Sequence, residues 1–303
     1  MIKIAAFYLF TPIEEPNKLK AELLPLCEHL KGTILIASEG INSTLAGAVE
    51  HVDALLSFLK SRFPAITWKV SYADEMPFYR MKIRLKKEIV TLRRPEAKPY
   101  EKTGVLVGAD EWNRLIQDEN VIVLDVRNDY EVAVGTFKNA IDPKTKKFTE
   151  FVGYVEKNLG DKKDAQIAMC CTGGIRCEKA SAYMLANGFK NVYQLHGGIL
   201  QYLEDVVSKD SLWEGECFVF DNRTTVDHTL TTGRFELCHG CRYPLNAADK
   251  LSPDFEAGVS CPHCINRTAL QQKERFRDRQ KQIVLAKLRG QRHIGVKRAA
   301  LVQ

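Results

Sequence analysis

The sequence predicts a protein of several domains: an α+β domain, then a doubly wound α/β domain with a parallel sheet, then a small cysteine-rich segment. Three observations carry this prediction. Short apolar runs alternate with helical periods over residues 1–93, a strand, a glycine loop and a helix follow one another around Cys171, and two Cys-x2-Cys pairs lie beyond residue 230. The 303 residues suffice for two or three domains with a core each.

The first domain, residues 1–93, is predicted to be a ferredoxin-like (acylphosphatase-like) plait. Apolar residues recur at helical spacing through Val52, Leu55 and Leu59, and apolar strands flank this helix. The resulting order, β-α-β-β-α-β, is typical of the plait. The polar segment 38–42 favours a plain hairpin turn over a ligand contact. Predicted strands cover residues 2–10, 32–37, 41–46, 67–72 and 82–85, and predicted helices cover 16–30 and 49–63.

Basic residues concentrate at the end of this domain. A solvated face is the usual meaning of such a run, and a contact with a phosphate backbone is the alternative. Residues 94–104, with prolines and several charges, are predicted to be a linker into the second domain. The basic residues are Arg80, Lys82, Arg84, Lys86, Lys87, Arg93 and Arg94.

The second domain, residues 105–210, contains the most informative segment of the chain. A strand-like run over 165–169 leads into Cys171, and a helix-like run over 177–186 follows Arg176. The paired glycines between them let backbone N–H groups converge as an anion nest, and the helix adds its positive N-terminal end. We therefore expect Cys171 to be a catalytic thiolate of lowered pKa rather than a small buried thiol. The loop residues are Thr172, Gly173, Gly174, Ile175 and Arg176.

Two neighbouring cysteines leave alternatives open. Counted from Cys170, the spacing to Arg176 is Cys-x5-Arg, as in cysteine-dependent phosphatases, whereas counted from Cys171 it is Cys-x4-Arg, as in sulfur carriers of the rhodanese type. Cys170 continues the apolar strand and is expected to point into the sheet. Cys177, in the first helical turn, either resolves an oxidised Cys171 or packs as a small hydrophobe.

Asp125 and Arg127 follow a second buried strand. The apolar run 121–124 is typical of a parallel strand, and open α/β sheets place their sites at the carboxyl ends of such strands. The two residues are expected either to form an ion pair that braces the loop or to take part in catalysis directly. Asp110 is expected to cap a helix that starts at Glu111.

The segment 211–270 is predicted to be a zinc module. Two Cys-x2-Cys pairs with nineteen residues between them have the spacing of a closed four-cysteine site, in which the metal replaces a core that the segment is too short to build. Such a site is structural, with His239 and His263 as bystanders. The expected ligands are Cys238, Cys241, Cys261 and Cys264.

The last segment, residues 271–303, is a basic tail whose first half, 275–288, is predicted to be helical. It carries ten basic against two acidic side chains, a net charge of +8. The whole chain carries only +6, so residues 1–270 carry −2. Charge concentrated in this way favours a nucleic-acid partner over a merely soluble tail.

The remaining patterns indicate a reducing, cytoplasmic compartment without membrane insertion. Nine cysteines in two clusters do not suit a disulfide framework, and no apolar run of the length needed to span a membrane occurs. The apolar N-terminus is short and lacks a cleavage site, so it favours a first strand. The sequence contains no flavin or dinucleotide fingerprint and no recognisable iron-binding facial triad.

Three segments in order resemble the signatures of a rhodanese domain: Val123–Arg127 with Glu131 and 135–137, the Cys171 loop, and Gly188–Gly198. With the plait, whose segment 38–44 is SEGINST, and the cysteine-rich end, the chain resembles the bacterial rhodanese-domain tRNA uridine-34 hydroxylases over nearly its full length. The doubled cysteine at 170–171 departs from that pattern, in which a larger apolar or aromatic residue is expected at 170.

This resemblance implies an oxidoreductase that uses molecular oxygen to convert the wobble uridine of tRNA to 5-hydroxyuridine. It implies the anticodon loop as partner, Cys171 as the persulfide-forming residue, and Gly173, Gly174 and Arg176 as the loop around it. The residues alone leave two other classes open. One is a sulfurtransferase that moves sulfane sulfur onto cyanide or a thiol, and the other is a non-enzymatic RNA-binding protein.

Overall fold

The computed structural model describes residues 1–291 and 293–295. The chain divides into two compact units, one from Met1 to Gly233 and one from Arg234 onward. Unit 1 contains the plait and the doubly wound domain, and unit 2 contains the two Cys-x2-Cys pairs.

The plait has the predicted ferredoxin-like order, including the fifth strand expected at residues 82–85. Its sheet has the order β4-β1-β3-β2-β5, antiparallel except for the parallel pair β2–β5. Alternation along the strands buries Phe7, Ile34 and Leu45 against Leu55 and Leu59 of the second helix. The elements are β1 (Ile2–Phe10), α1 (Pro16–Leu26), β2 (Lys31–Ala37), β3 (Gly40–Gly47), α2 (Val49–Arg62), β4 (Thr67–Ala73) and β5 (Met81–Leu85).

The second domain is the predicted doubly wound parallel sheet, with strand order β6-β10-β9-β7. Apolar clusters cover both faces, one with Ile167 and Met169 and the other with Ala168 and Cys170, because successive side chains of a strand point to opposite faces. Its elements are β6 (Val105–Val107), α3 (Ala109–Leu115), β7 (Val121–Asp125), α4 (Asp129–Val132), β8 (Gly135–Phe137), α5 (Phe151–Leu159), β9 (Gln166–Cys170), α6 (Ile175–Ala186), β10 (Asn191–Leu195) and α7 (Gly198–Asp205).

Helix α3 starts earlier than the sequence predicts. It begins at Ala109 after Gly108, whose extended backbone leaves the helix without a side-chain cap, so the expected cap at Asp110 is wrong. Asp110 and Glu111 lie in the first turn instead, where their negative charges suit the helix dipole.

Three short strands after α7 belong to unit 1. The first pairs with β8, and Cys217 lies in the same apolar cluster as Trp112 and Phe137. The cysteine-rich segment is predicted to begin at residue 211, whereas residues 211–233 belong to unit 1 with the doubly wound domain. The strands are β11 (Trp213–Gly215), β12 (Cys217–Phe218) and β13 (Thr225–Val226).

Unit 2 consists of a small hairpin, a short helix and a long helix: β14 (Glu236–Leu237), β15 (Pro244–Leu245), α8 (Ala247–Leu251) and α9 (Leu270–Leu288). Helix α9 buries no side chain and is attached by charged groups, among them Arg279, which donates to the carbonyls of His239 and Gly258. The basic residues Arg292, Lys297 and Arg298 of the predicted tail lie outside the described residues. Within the described part of the chain, no helix is both long and apolar enough to span a membrane.

Candidate active site around Cys171

The loop between β9 and α6 requires its glycines. Gly174 has φ +99°, a conformation that side chains rarely adopt, and a Cβ there would lie 2.6 Å from the Tyr8 hydroxyl. Because the chain turns at this point, the Gly174 N–H donates to Sγ of Cys171 at 3.2 Å. Gly198, the first residue of α7, also has positive φ, and a Cβ there would lie 2.5 Å from the Cys171 carbonyl oxygen.

The surroundings of Cys171 favour its thiolate. Burial raises the pKa of this thiol, but a hydrogen bond from the Cys177 thiol, the charge of Arg176 and the backbone N–H groups of Cys177 and Gly174 together lower the pKa to about 6. At neutral pH the Cys171 side chain is therefore mostly ionised. The side chain exposes no surface to solvent.

The neighbouring cysteines, Cys170 and Cys177, differ from Cys171 in that the pKa of each thiol is raised. Cys170 points to the other face of the sheet, donates to the Leu124 carbonyl at 3.8 Å, and has a pKa well above the usual value because it is buried. Burial, followed by its hydrogen bond to Cys171, also raises the pKa of Cys177. Cys177 therefore keeps its proton and donates it toward the Cys171 thiolate.

Arg176 is held in place by Glu131. Its Nη1 and Nη2 each lie 2.7 Å from a carboxylate oxygen of Glu131, and Nη2 also donates to Oγ1 of Thr172 at 3.3 Å. Burial lowers the pKa of Arg176, but the charge of Glu131 outweighs it and the net pKa is raised. Glu131 is fixed in turn by a capping box with Asn128 at the start of α4. Arg176 therefore presents a permanent, oriented positive charge beside Cys171.

Asp125 and Arg127 form a fully buried ion pair. Nε of Arg127 lies 2.8 Å from Oδ1 and Nη2 lies 2.6 Å from Oδ2 of Asp125. Arg127 also donates to the carbonyls of Glu131 and Gly135, and Thr136 donates to Asp125. These contacts brace the segment that carries Glu131, so the pair acts on Cys171 through Glu131 and Arg176.

The plait contributes side chains that the sequence analysis did not assign to the site. Tyr8 of β1 donates to Glu178 at 2.7 Å and lies against Gly174. Lys179, 2 % exposed, forms ion pairs with Glu39 and with Glu88 of the plait. The loop and the start of α6 therefore lie against the open face of the plait sheet.

Two family models match the chain. Residues 2–89 match the UPF0176 acylphosphatase-like domain, and residues 108–205 match the rhodanese-like domain. The chain has the domain architecture of the UPF0176 family. The predicted resemblance of the second domain to a rhodanese domain is confirmed, and so is the predicted acylphosphatase-like first domain.

Solved structures of rhodanese-like proteins resemble part of this chain. The rhodanese-like domain of the Anabaena Alr3790 protein is 19% identical, with 36% of this chain and 78% of that chain covered, at a TM-score of 0.31. The Saccharomyces cerevisiae single-domain sulfurtransferase RDL2 is 19% identical, with 34% of this chain and 92% of that chain covered, at a TM-score of 0.29. A rhodanese-related protein of Thermoplasma volcanium is 22% identical, with 33% of this chain and 92% of that chain covered, at a TM-score of 0.27.

The four cysteines of the two Cys-x2-Cys pairs in unit 2 lie together. Their Sγ atoms are all within 4.8 Å of one another. His263 is not part of this group: it stacks on Tyr243 with ring centroids 3.8 Å apart and contacts Asp249 at 3.1 Å. The group, Cys238, Cys241, Cys261 and Cys264, is positioned to bind a metal ion.

Proposed function

We propose that this protein is a tRNA-modifying oxidoreductase that hydroxylates the wobble uridine with molecular oxygen. The observation that carries the proposal is Cys171 at the glycine loop of the rhodanese-like domain, where the Gly174 N–H donates to its Sγ and Tyr8 of the UPF0176 domain lies against the loop. In the overall reaction, one oxygen atom enters the C5–H bond of uridine. The other oxygen atom leaves as water, with the two electrons and two protons that a thiol reductant releases as it is oxidised to a disulfide.

Each loop residue has a definite part in this proposal. Cys171 is the nucleophile, or the carrier of a persulfide sulfur, and the N–H of Gly174 and the thiol of Cys177 stabilise its negative charge. Arg176 keeps a positive charge near the reacting sulfur because Glu131 fixes its guanidinium. Thr172 accepts a further hydrogen bond from Nη2 of the same guanidinium.

An RNA substrate accounts for the domains beyond the rhodanese-like one. A small anion such as thiosulfate needs only the loop, whereas an anticodon loop needs surface that contacts phosphates around one splayed base. The exposed basic residue Arg84 lies in the plait strand β5, Lys86 and Lys87 follow that strand, and helix α9 carries further exposed basic groups. Both are suited to phosphate contacts.

The metal of unit 2 is proposed to be a structural zinc. Four thiolates around Zn²⁺ with bonds of about 2.3 Å place the sulfur atoms about 3.8 Å apart. The Sγ distances are 3.7 Å between Cys241 and Cys261, 3.8 Å between Cys261 and Cys264, and 4.0 Å between Cys238 and Cys264. A closed four-sulfur site leaves no position for a substrate, so the metal would stabilise the module without entering the reaction.

A sulfurtransferase is the second candidate. The four-residue spacing from Cys171 to Arg176, in a rhodanese-like domain, favours a sulfur-carrying cysteine over a phosphatase-like site. The two candidate functions differ in the fate of the sulfur carried by Cys171. In the sulfurtransferase the sulfur leaves with the acceptor, and in the hydroxylase the tRNA gains oxygen.

The deciding experiment incubates unmodified tRNA with the purified protein and a thiol reductant, in air and without oxygen, and analyses the nucleosides by mass spectrometry. We expect 5-hydroxyuridine in air with the wild type and with Cys170→Ser, and none with Cys171→Ser or without oxygen. Efficient sulfane sulfur transfer from thiosulfate, with tRNA left unmodified in air, would establish the sulfurtransferase instead.

A further inference from the structure

An aromatic side chain is exposed next to the Cys171 loop. Phe220 lies at the tip of the hairpin formed by β12 and β13, and 60% of its surface is open to solvent. Its ring centroid lies 5.7 Å from Cζ of Arg176, the arginine of the loop. Single exposed apolar side chains are common on folded proteins, so what distinguishes this ring is its position beside the arginine of the Cys171 loop.

The ring is held rigidly. Phe218 packs edge-on against it at 5.3 Å, and Tyr130 packs edge-on against Phe218 at 5.2 Å. The hairpin tip is fixed by Asp221, which accepts from Arg223, and by the N–H of Asn222, which donates to the Pro77 carbonyl. A fixed ring loses little entropy when a flat partner stacks on it.

Two basic side chains connect the hairpin with the Cys171 loop: Arg223, which is ion-paired with Asp221, and Lys69. Arg223 donates to Ser71 of β4, and two residues earlier on the same face of β4 lies Lys69. A Cβ on Gly197 would lie 3.2 Å from Nζ of Lys69, and Gly197 precedes α7 next to the Cys171 loop. Among the described residues, no hydrogen-bond partner reaches this buried Nζ. An incoming phosphate oxygen would supply one.

We infer that Phe220 is a stacking platform for one unpaired nucleobase of the RNA, next to the base that reaches Cys171. This inference rests on the proposed RNA substrate and adds a binding site to it. Stacking on an aromatic side chain suits any base, because every base has a π face, and it also holds the flanking nucleotide in place while its neighbour leaves the stack.

The test uses an unmodified RNA hairpin that carries an anticodon loop. Phe220→Ala should weaken binding about tenfold and leave the slope of log K against log salt unchanged, because stacking releases no counterions. The matched control is Tyr100→Ala, an aromatic residue in the linker with 41% exposure, which should bind like the wild type. Both variants should keep the wild-type melting temperature, since the rings are exposed.

A second measurement separates stacking from a structural role. Abasic nucleotides are placed one at a time through the loop of the hairpin. An abasic nucleotide at one position should weaken binding to the wild type about tenfold. It should have no further effect on binding to Phe220→Ala, because loss of the base and loss of the ring remove the same contact. In Phe220→Trp, the emission of the new indole should be quenched by the intact hairpin and not by the hairpin abasic at that position.

The outcomes distinguish this inference from the proposed function. Hairpin binding that is equal in the wild type and Phe220→Ala overturns the platform and leaves hydroxylation standing. Coupling between Phe220 and one base, without 5-hydroxyuridine formation, supports the platform and removes the hydroxylase. Failure of the wild type to bind the hairpin overturns both, and the exposed ring would then indicate a protein partner.

Discussion

The ionisation of Cys171 can be tested directly by removing the thiol that donates to it. Cys177→Ala deletes one hydrogen bond to the Cys171 thiolate and changes the chain by a single buried atom. A hydrogen bond to a charged group contributes about 1.5–3 kcal/mol, and one pKa unit corresponds to about 1.4 kcal/mol. The pKa of Cys171 should therefore rise from about 6 by about one to two units.

The sign of the pH dependence follows from this shift. In the wild type the thiolate, and any reaction that needs it, is lost as the pH falls through about 6. In Cys177→Ala the same loss should begin at higher pH, so that activity at about pH 7 falls to roughly half or less while activity at about pH 9 is retained.

The ultraviolet absorbance of the thiolate measures the ionisation of Cys171 as a function of pH. No reagent has to reach the buried sulfur. The difference between the wild type and Cys171→Ser isolates one thiol among nine. Cys27→Ala is the matched control, because Cys27 is a buried thiol of the plait whose burial raises its pKa to about 12. A wild-type midpoint above about 8, or the same midpoint in Cys177→Ala, would refute the reasoning.

Three further outcomes follow from the same structure. Glu131→Gln leaves the buried Arg176 charge uncompensated and should lower the free energy of unfolding by about 3–5 kcal/mol, measured by urea denaturation; a loss below about 1 kcal/mol would contradict the buried pair. Cys264→Ser should abolish stoichiometric zinc in elemental analysis while the Cys171 absorbance step stays, and retained zinc would exclude this ligand. Lys69→Met should be more stable than the wild type near pH 7, by about 1–2 kcal/mol after allowance for partial exposure. Burial lowers the pKa of Lys69 to about 8. The difference in the free energy of unfolding should therefore shrink as the pH rises from about 8 toward the pKa of an unfolded lysine. A difference in thermal or urea unfolding that does not change with pH would contradict the lowered pKa.

The sequence predicts those parts of the site that are contiguous in the chain. The strand, the glycines and Arg176 follow Cys171 directly, so their geometry is local. The same holds for the two Cys-x2-Cys pairs, since each places two sulfur atoms within one turn. The partner of Arg176 is different: Glu131 lies 45 residues away, and only packing of α4 against the loop brings the two together.

The contribution of the plait was beyond reach of sequence patterns. Tyr8 alternates with buried residues of β1 and has the pattern of an ordinary strand residue, and the segment around Glu39 favoured a plain turn. Their roles depend on which face of one sheet lies against which helix of another domain. The start of α3 shows a smaller limit of the same kind, because Gly108 supplies an extended backbone but no side chain to mark the cap.

The complete burial of Cys171 has a consequence for the durability of the protein. A thiolate of low pKa is the form of cysteine that peroxides attack first, and repeated attack ends in sulfinic and sulfonic acids that thiols do not repair. A protein that meets oxygen in every cycle would lose such a residue quickly if it stood open. With Tyr8 and Gly174 packed against each other over this part of the loop, the resting sulfur is shielded from dissolved oxidants. In the proposed reaction, the sulfur would meet oxidants only while a substrate has access to the loop.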